Sequence, residues 1–211
     1  MKIRIARDIH GSARANRLLR WCRDVLLIVG VLALGYCGYV LLDAKLYQEY
    51  QTRRFQQQLS SVQVSLASSG GVRDLPVALE LGGPLGRIEI TRIGVAAMIL
   101  EGDDEPMLRR AVGHIPGTSL PGQLGNVAIA GHRDTFFRAL RNVRNDDVIT
   151  VTTLAGSYRY IVDSTQVVAP EDTQVLDDSG DSILTLVTCY PFYFVGPAPK
   201  RFIVRAHKIP R

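Results

Sequence analysis

Ile183–Arg201 reads ILTLVTCYPFYFVGPAPKR. It opens as an apolar, β-branched run from Ile183 to Val187 and stops at Thr188-Cys189. Pro191 follows, and a proline cannot donate to a sheet ladder. Cys189 therefore sits at or near the end of a strand, where an irregular loop begins. The loop over 190–200 is aromatic and rich in Gly and Pro, which suits a pocket wall. Phe202–Ala206 is the next strand-like run, so a hairpin through this loop returns Arg201 to the side of Cys189. Taken alone, a Cys ending an apolar run is most often a small buried hydrophobe. The rest of the chain reverses that balance.

The formal charge of +5 at first suggests nucleic acid, but its distribution does not. Residues 1–23 hold seven basic side chains (Lys2, Arg4, Arg7, Arg14, Arg17, Arg20, Arg23) and one acid, Asp8; Asp24 adds a second. Removing these from the 25 basic and 20 acidic residues leaves 18 of each. The body of the chain is neutral and carries no nucleic-acid footprint.

Val25–Leu42 (VLLIVGVLALGYCGYVLL) has no charge over 18 residues, about 27 Å of helix and close to a bilayer's hydrocarbon thickness. Trp21 and Tyr47 flank it as candidate interfacial aromatics. Arginines precede it, so the positive-inside rule puts residues 1–24 in the cytoplasm and everything after residue 43 outside. A cleaved signal peptide would need a shorter apolar core and a small-x-small exit; Leu42-Asp43-Ala44-Lys45 is a poor one. Lipid attachment at Cys37 is disfavoured by Tyr36. An uncleaved, single-pass type II anchor is the expectation. Cys22 then lies at the cytoplasmic edge and Cys37 in the membrane, so Cys189 is the one exported cysteine. An odd exported thiol points to reactivity or an intermolecular bond.

Residues 43–60 are polar and Gln-rich, with a weak stripe of Leu46, Tyr50, Phe55 and Leu59, and read as a helical stalk. Residues 60–84 hold Ser, Gly and two prolines and read as a partly extended linker. Residues 43–85 thus form stalk and linker, and the domain covers 86–211. Arg87–Ile93 alternates with the period of a half-buried strand, and Val95–Leu100 follows Gly94 as a hairpin partner. Asp103-Asp104-Glu105 opens a short helical run, 106–112. Helix capping explains this triplet better than Ca²⁺ binding, for which no loop motif is present.

Gly113–Gly125 (GHIPGTSLPGQLG) reads as ordered loop. Asn126–Ala130 is a short apolar strand, and Gly131-His132-Arg133-Asp134 ends it, so His132 occupies the same kind of place as Cys189. A lone His after a strand is more often structural, and the same holds for His114. Neither has metal-ligand spacing. Thr135–Val143 suggests a short helix packing Phe136, Phe137 and Leu140 inward. Strands follow at 147–153, 158–162 and 166–169, then an acidic loop at 170–182 that suits a cleft wall. Seven or eight short strands with one or two short helices argue for a closed or nearly closed β-barrel.

Thr185-Leu186-Val187-Thr188-Cys189 resembles the TLxTC signature of sortases, the membrane-anchored cysteine transpeptidases of bacterial surfaces. Gly113–Gly117 and Asn126–Arg133 resemble the segments around their His, and Arg201, 12 residues after the Cys, matches their Arg at the head of the last strand. The Cys-Tyr-Pro-Phe continuation and the compact Cys-to-Arg loop look most like class D. The short spacer, without a lid-like insert or second anchor, departs from the pilin-polymerising class C. The resemblance implies an eight-stranded sortase barrel and a reaction in which Cys189 attacks an LPxTG-like sorting signal. His132 would be the general acid/base and Arg201 the stabiliser of oxyanion or substrate, with Thr188 and His114 in support. Surface proteins bearing that signal and an amine of the cell wall or another protein would be the partners. No cofactor is implied.

Two other readings exist. An L,D-transpeptidase would want His and Cys close together in a Ser/Gly-rich motif, whereas His132 and Cys189 lie 57 residues apart. An anchored, non-catalytic peptide-binding barrel would leave Cys189 inert.

Overall fold

The computed structural model describes residues 9–69, 83–178, 180–194 and 196–210. Contacts divide the chain into two units, Met1–Asp43 and Ala44–Arg211. A long helix, α1 (Ile9–Ser69), contributes to both. In the first unit, Leu19–Tyr39 is long and apolar enough to cross a membrane. Leu26, Leu32 and Leu34 there are bare of protein cover, as suits side chains meant for lipid.

The remainder of α1 belongs to the second unit and docks on the barrel. Its packing face is Tyr47, Gln48, Gln51 and Phe55, residues one turn apart. Phe55 and Gln51 are buried. The Tyr47 ring lies 5.4 Å from the Arg110 guanidinium, so Tyr47 packs on the barrel. Leu46 and Tyr50, two members of the expected apolar stripe, face solvent instead. The helix also continues through Ser69, so residues 60–69 are not extended linker. No Gly or Pro interrupts them, and serine alone is a mild helix breaker. Residues 70–82 of that linker lie outside the described residues.

Eight strands close a barrel in the order β1-β2-β3-β4-β7-β8-β6-β5. They are β1 (Pro84–Ile90), β2 (Val95–Glu101), β3 (Val112–His114), β4 (Asn126–Ala130), β5 (Val148–Thr153), β6 (Gly156–Val168), β7 (Ile183–Tyr190) and β8 (Lys200–Lys208). β1 and β2 form the expected hairpin. β1 ends at Ile90, and Thr91–Ile93 is a 3₁₀ turn rather than strand. A short helix, α2 (Glu105–Leu108), starts at Asp104, whose carboxylate accepts from the Met107 N–H at 3.0 Å. The acid triplet thus includes a helix cap.

Three strand readings change. Val112–His114, read as helix end and loop, is β3, parallel to β2. The two strands read at 158–162 and 166–169 are one, β6, whose register slips at Val162/Ser164 against β8. β7 extends past Thr188 to Tyr190 because β8 starts early, at Lys200, and pairs with it. The helix read at 135–143 is a 3₁₀ turn, Arg138–Asn142, with Phe137 and Leu140 fully buried as expected.

The core follows the period of two. Leu184, Leu186, Val204, Ala206, Val127 and Ile129 point into the barrel with Ile88, Ile99, Val151 and Tyr160. On β7 and β4, the alternate residues face outward.

Candidate active site

Outward-facing positions on three neighbouring strands build the site. β4 and β7 run parallel, and Ala130 pairs with Val187. Two residues further on come Cys189, still on β7, and His132, just past the end of β4, and both face the same cleft. β7 and β8 run antiparallel, with Cys189 opposite Arg201 and Val187 opposite Ile203. All six line one cleft of about 380 Å³. The strand at the centre presents the thiol, with His132 from one neighbour and Arg201 from the other. Cys189 is partly exposed and is one of three free cysteines.

Thr188 braces this arrangement. Its side chain is buried and its hydroxyl donates to the Gly131 carbonyl at 2.7 Å, one residue from His132 and one from Cys189. Gly131 N–H in turn donates to Val187 O at 3.1 Å. These bonds extend the β4–β7 ladder beyond its last paired residues, so the strand ends carrying His and Cys cannot splay independently. Gly131 must remain small: a Cβ there would come within 2.7 Å of the Phe137 ring.

Two walls flank the floor. Asp103, Glu105 and Leu108 form one, around α2, and Pro170, Asp172, Thr173, Val175 and Leu176 form the other. The acidic segment after β6 is thus a cleft wall, as its sequence suggested. The aromatic loop after Cys189 is not; residues 190–199 contribute no lining residue among the described residues. Asn126 secures the acidic wall, donating to the carbonyls of Val175 at 3.0 Å and Asp177 at 3.3 Å. Thr185, fully buried, donates to the Asn126 side chain at 2.7 Å. Both threonines of the TLVTC run therefore act as hydrogen-bonding struts under the cleft.

Glu105 was missed from sequence. Its carboxylate lies 3.7 Å from His132 Nε2, while Asp134, the acid adjoining in sequence, is exposed. Only the tertiary approach of α2 to the end of β4 brings Glu105 there, 27 residues upstream of the His. Arg201 donates to the Ala198 and Lys200 carbonyls at 3.3 and 3.1 Å. Those bonds use one terminal nitrogen and orient the planar fork.

His114 does not join the site. It is buried and absent from the cleft lining. Its Nδ1 lies 2.8 Å from a Glu101 oxygen, and its Nε2 lies 3.0 Å from Ser119 O and 3.1 Å from Thr118 Oγ1. The Thr118 hydroxyl already donates to Ile115 O at 2.8 Å, so it can only accept from the ring. His114 pins the irregular 115–125 segment to the end of β2. Neighbouring Gly113 permits this packing, since a Cβ there would collide with the Gly102 carbonyl oxygen. These contacts hold His114 behind the cleft rather than in its lining.

Among the described residues no group of three or more His, Cys, Asp or Glu side chains gathers to hold a metal ion.

The Sortase domain family model matches residues 88–209. The chain belongs to the sortase family. Sortase D of Bacillus subtilis (strain 168) is 28% identical over 189 residues, 87% of this chain and 96% of the relative. Sortase A of Bacillus anthracis is 27% identical over 57% of each chain. Among solved structures, a Clostridium perfringens Sortase D5 transpeptidase superposes with a TM-score of 0.64 at 27% identity, covering 78% of this chain and 99% of that one. A C. perfringens sortase C solved with the C-terminal cell wall sorting motif gives 0.59 at 26% identity, covering 74% and 88%. The sortase barrel and the likeness to class D expected from the TLVTC and Cys-Tyr-Pro-Phe residues are both found. This sortase is a cysteine transpeptidase of the kind that anchors surface proteins; sortases in general need no cofactor. Nothing in these comparisons favours an L,D-transpeptidase or a non-catalytic barrel. Family and apolar helix together agree with attachment to a membrane.

Proposed function

We propose that Cys189 cleaves an LPxTG-like sorting signal after its Thr and transfers the acyl group to an amine. The observation that carries this reading is the shared outer face of β4, β7 and β8. It presents a thiol, an imidazole and a guanidinium to one cleft.

Cys189 reacts as the thiolate. Its Sγ bonds to the Thr carbonyl carbon, and the negative charge moves to the carbonyl oxygen. Arg201, a permanent cation whose other N–H donors take no partner among the described residues, stabilises that oxygen or holds the peptide backbone. Collapse breaks the C–N bond, and His132 as imidazolium protonates the departing amine. A thioester remains on Cys189. The incoming amine gives its proton to the now neutral His132 and attacks the thioester. A new amide forms and the thiolate is regenerated. One amide replaces another, so no oxidant or cofactor enters. Glu105 supplies negative charge beside the ring in its imidazolium form.

The anchor is type II, with residues 1–24 cytoplasmic and the barrel outside, as the arginines before Leu26 favour. There the enzyme meets exported proteins bearing C-terminal sorting signals, and amines of the cell wall or of other surface proteins. The stalk is the part of α1 that follows the anchor, and the catalytic barrel begins with β1 at Pro84.

Peptides of LPxTG and LPxTA type, incubated with the full chain in detergent with and without an added amine, test the reading by product analysis. An amide product that requires the amine and Cys189 is expected. Products that form equally well with Cys189→Ala would refute it.

A further inference from the structure

Arg133 follows His132 directly and does not line the cleft. Its guanidinium nevertheless makes three hydrogen bonds beside the site. Nη1 donates to the Pro191 carbonyl at 3.0 Å. Nη2 donates to the carbonyls of Phe194 at 2.8 Å and Gly196 at 2.9 Å. The group also lies 5.9 Å from the Phe194 ring centroid, within cation–π range. All three acceptors belong to the connection between β7 and β8, which joins Cys189 to Arg201.

We infer that Arg133 is a positioning residue for the transfer reaction: its fork clasps the β7–β8 connection and so holds His132 in place against Cys189 and Arg201. This rests on the proposed roles of those three residues. Among the described residues, the other restraints around His132 lie on the β7 side and on the turn that follows. Gly131 is tied to β7 on one side, and His132 O accepts from Phe137 N at 3.1 Å. Among the described residues the ring itself has Glu105, at 3.7 Å, and that carboxylate also pairs with Arg109 at 3.3 Å. Arg133 adds the tie from this segment to the turn beyond Cys189. A planar fork with several donors is needed, because the three carbonyls lie on different residues. A lysine offers a charge and one nitrogen, and cannot span them as a rigid unit.

Reactivity depends steeply on such geometry. Arg133→Gln and Arg133→Lys should each lower kcat about 10-fold or more, with KM for the sorting peptide within about 2-fold of wild type. Labelling of Cys189 by a small thiol reagent should persist, showing that the barrel still stands. Phe194→Leu, at a half-exposed position, removes only the ring contact and should give a smaller fall in kcat. Hydrogen exchange over residues 190–200 should quicken in both Arg133 variants. This last readout needs no substrate. If wild type fails to transfer any peptide, the proposed function fails, and the exchange data still judge the clasp.

Unchanged exchange in both Arg133 variants would overturn the inference. So would an Arg133→Lys enzyme with wild-type kcat, or a raised KM at constant kcat. Should Arg133→Gln not fold, wild-type kcat together with wild-type exchange in Phe194→Leu would also count against it.

Discussion

Thr188→Val should weaken both the fold and the reaction, because it removes one hydroxyl from a buried strut while keeping the shape of the side chain. Thr188 is 2% exposed and donates to the Gly131 carbonyl at 2.7 Å. Valine leaves the carbonyl of buried Gly131 without that donor. An unsatisfied buried polar group costs about 1–3 kcal/mol. For a domain of this size each 1 kcal/mol moves Tm by about 2–4 °C, so a fall of roughly 2–12 °C follows from the two principles together. Gly131 and Thr188 stand one residue from His132 and Cys189. Loosening them should therefore reduce the rate of peptide acylation by more than the loss of folded protein explains. Thr188→Ser keeps the donor and should recover most of both quantities. Thermal melts of the full chain in detergent, with single-turnover acylation at a temperature where every variant is folded, supply the assay. A Thr188→Val enzyme with wild-type Tm and wild-type acylation would refute the strut. So would a Thr188→Ser enzyme as impaired as the valine variant.

Asp147 gives a prediction in pH. Hydrogen bonding from Arg92 holds its carboxyl below the ordinary aspartate value, opposed by burial and helped by the Arg144 N–H. A depressed folded-state pKa contributes stability above the unfolded value, near 3.9 for aspartate, and loses it as pH falls through the folded value. Asp147→Asn should thus be less stable than wild type at pH 7, and the gap in urea midpoint should narrow below about pH 4; a gap independent of pH would contradict this. His114→Ala should lower Tm by several degrees through loss of the Glu101, Thr118 and Ser119 contacts while Cys189 still acylates in the folded fraction. Abolished acylation in a fully folded variant would restore His114 to the catalytic machinery.

Much of the site was legible because strand chemistry is local. The alternation in Ile183–Cys189 separates barrel-facing Leu184 and Leu186 from cleft-facing Val187 and Cys189, and a hairpin returns Arg201 beside the thiol. The export argument left one cysteine to consider. Contacts between distant segments were not legible in the same way. β3 has three residues, one of them glycine, and is a strand only because β2 and β4 lie beside it. Glu105 reaches His132 through the placement of α2, and Asn126 acts on Val175 and Asp177 across 49 and 51 residues. His114 looked like a site residue for its type and motif, but it lies buried outside the cleft lining. On the stalk, the stripe of Leu46 and Tyr50 misled because the docking face uses polar Gln48 and Gln51. Gln48 accepts from Met98 N–H at 3.0 Å, satisfying a main-chain donor of β2 where the three-residue β3 gives no partner.

The central claim is that the partly exposed thiol on β7 is the nucleophile. Its most direct test is peptide mapping of the enzyme quenched during turnover with a sorting-signal peptide and no added amine. The account predicts a mass increase equal to the peptide up to its Thr, localised to Cys189, released by an amine or hydroxylamine, and slow to form in His132→Ala and Arg201→Ala. An acyl group found on any other residue, or turnover that survives Cys189→Ala, would contradict it.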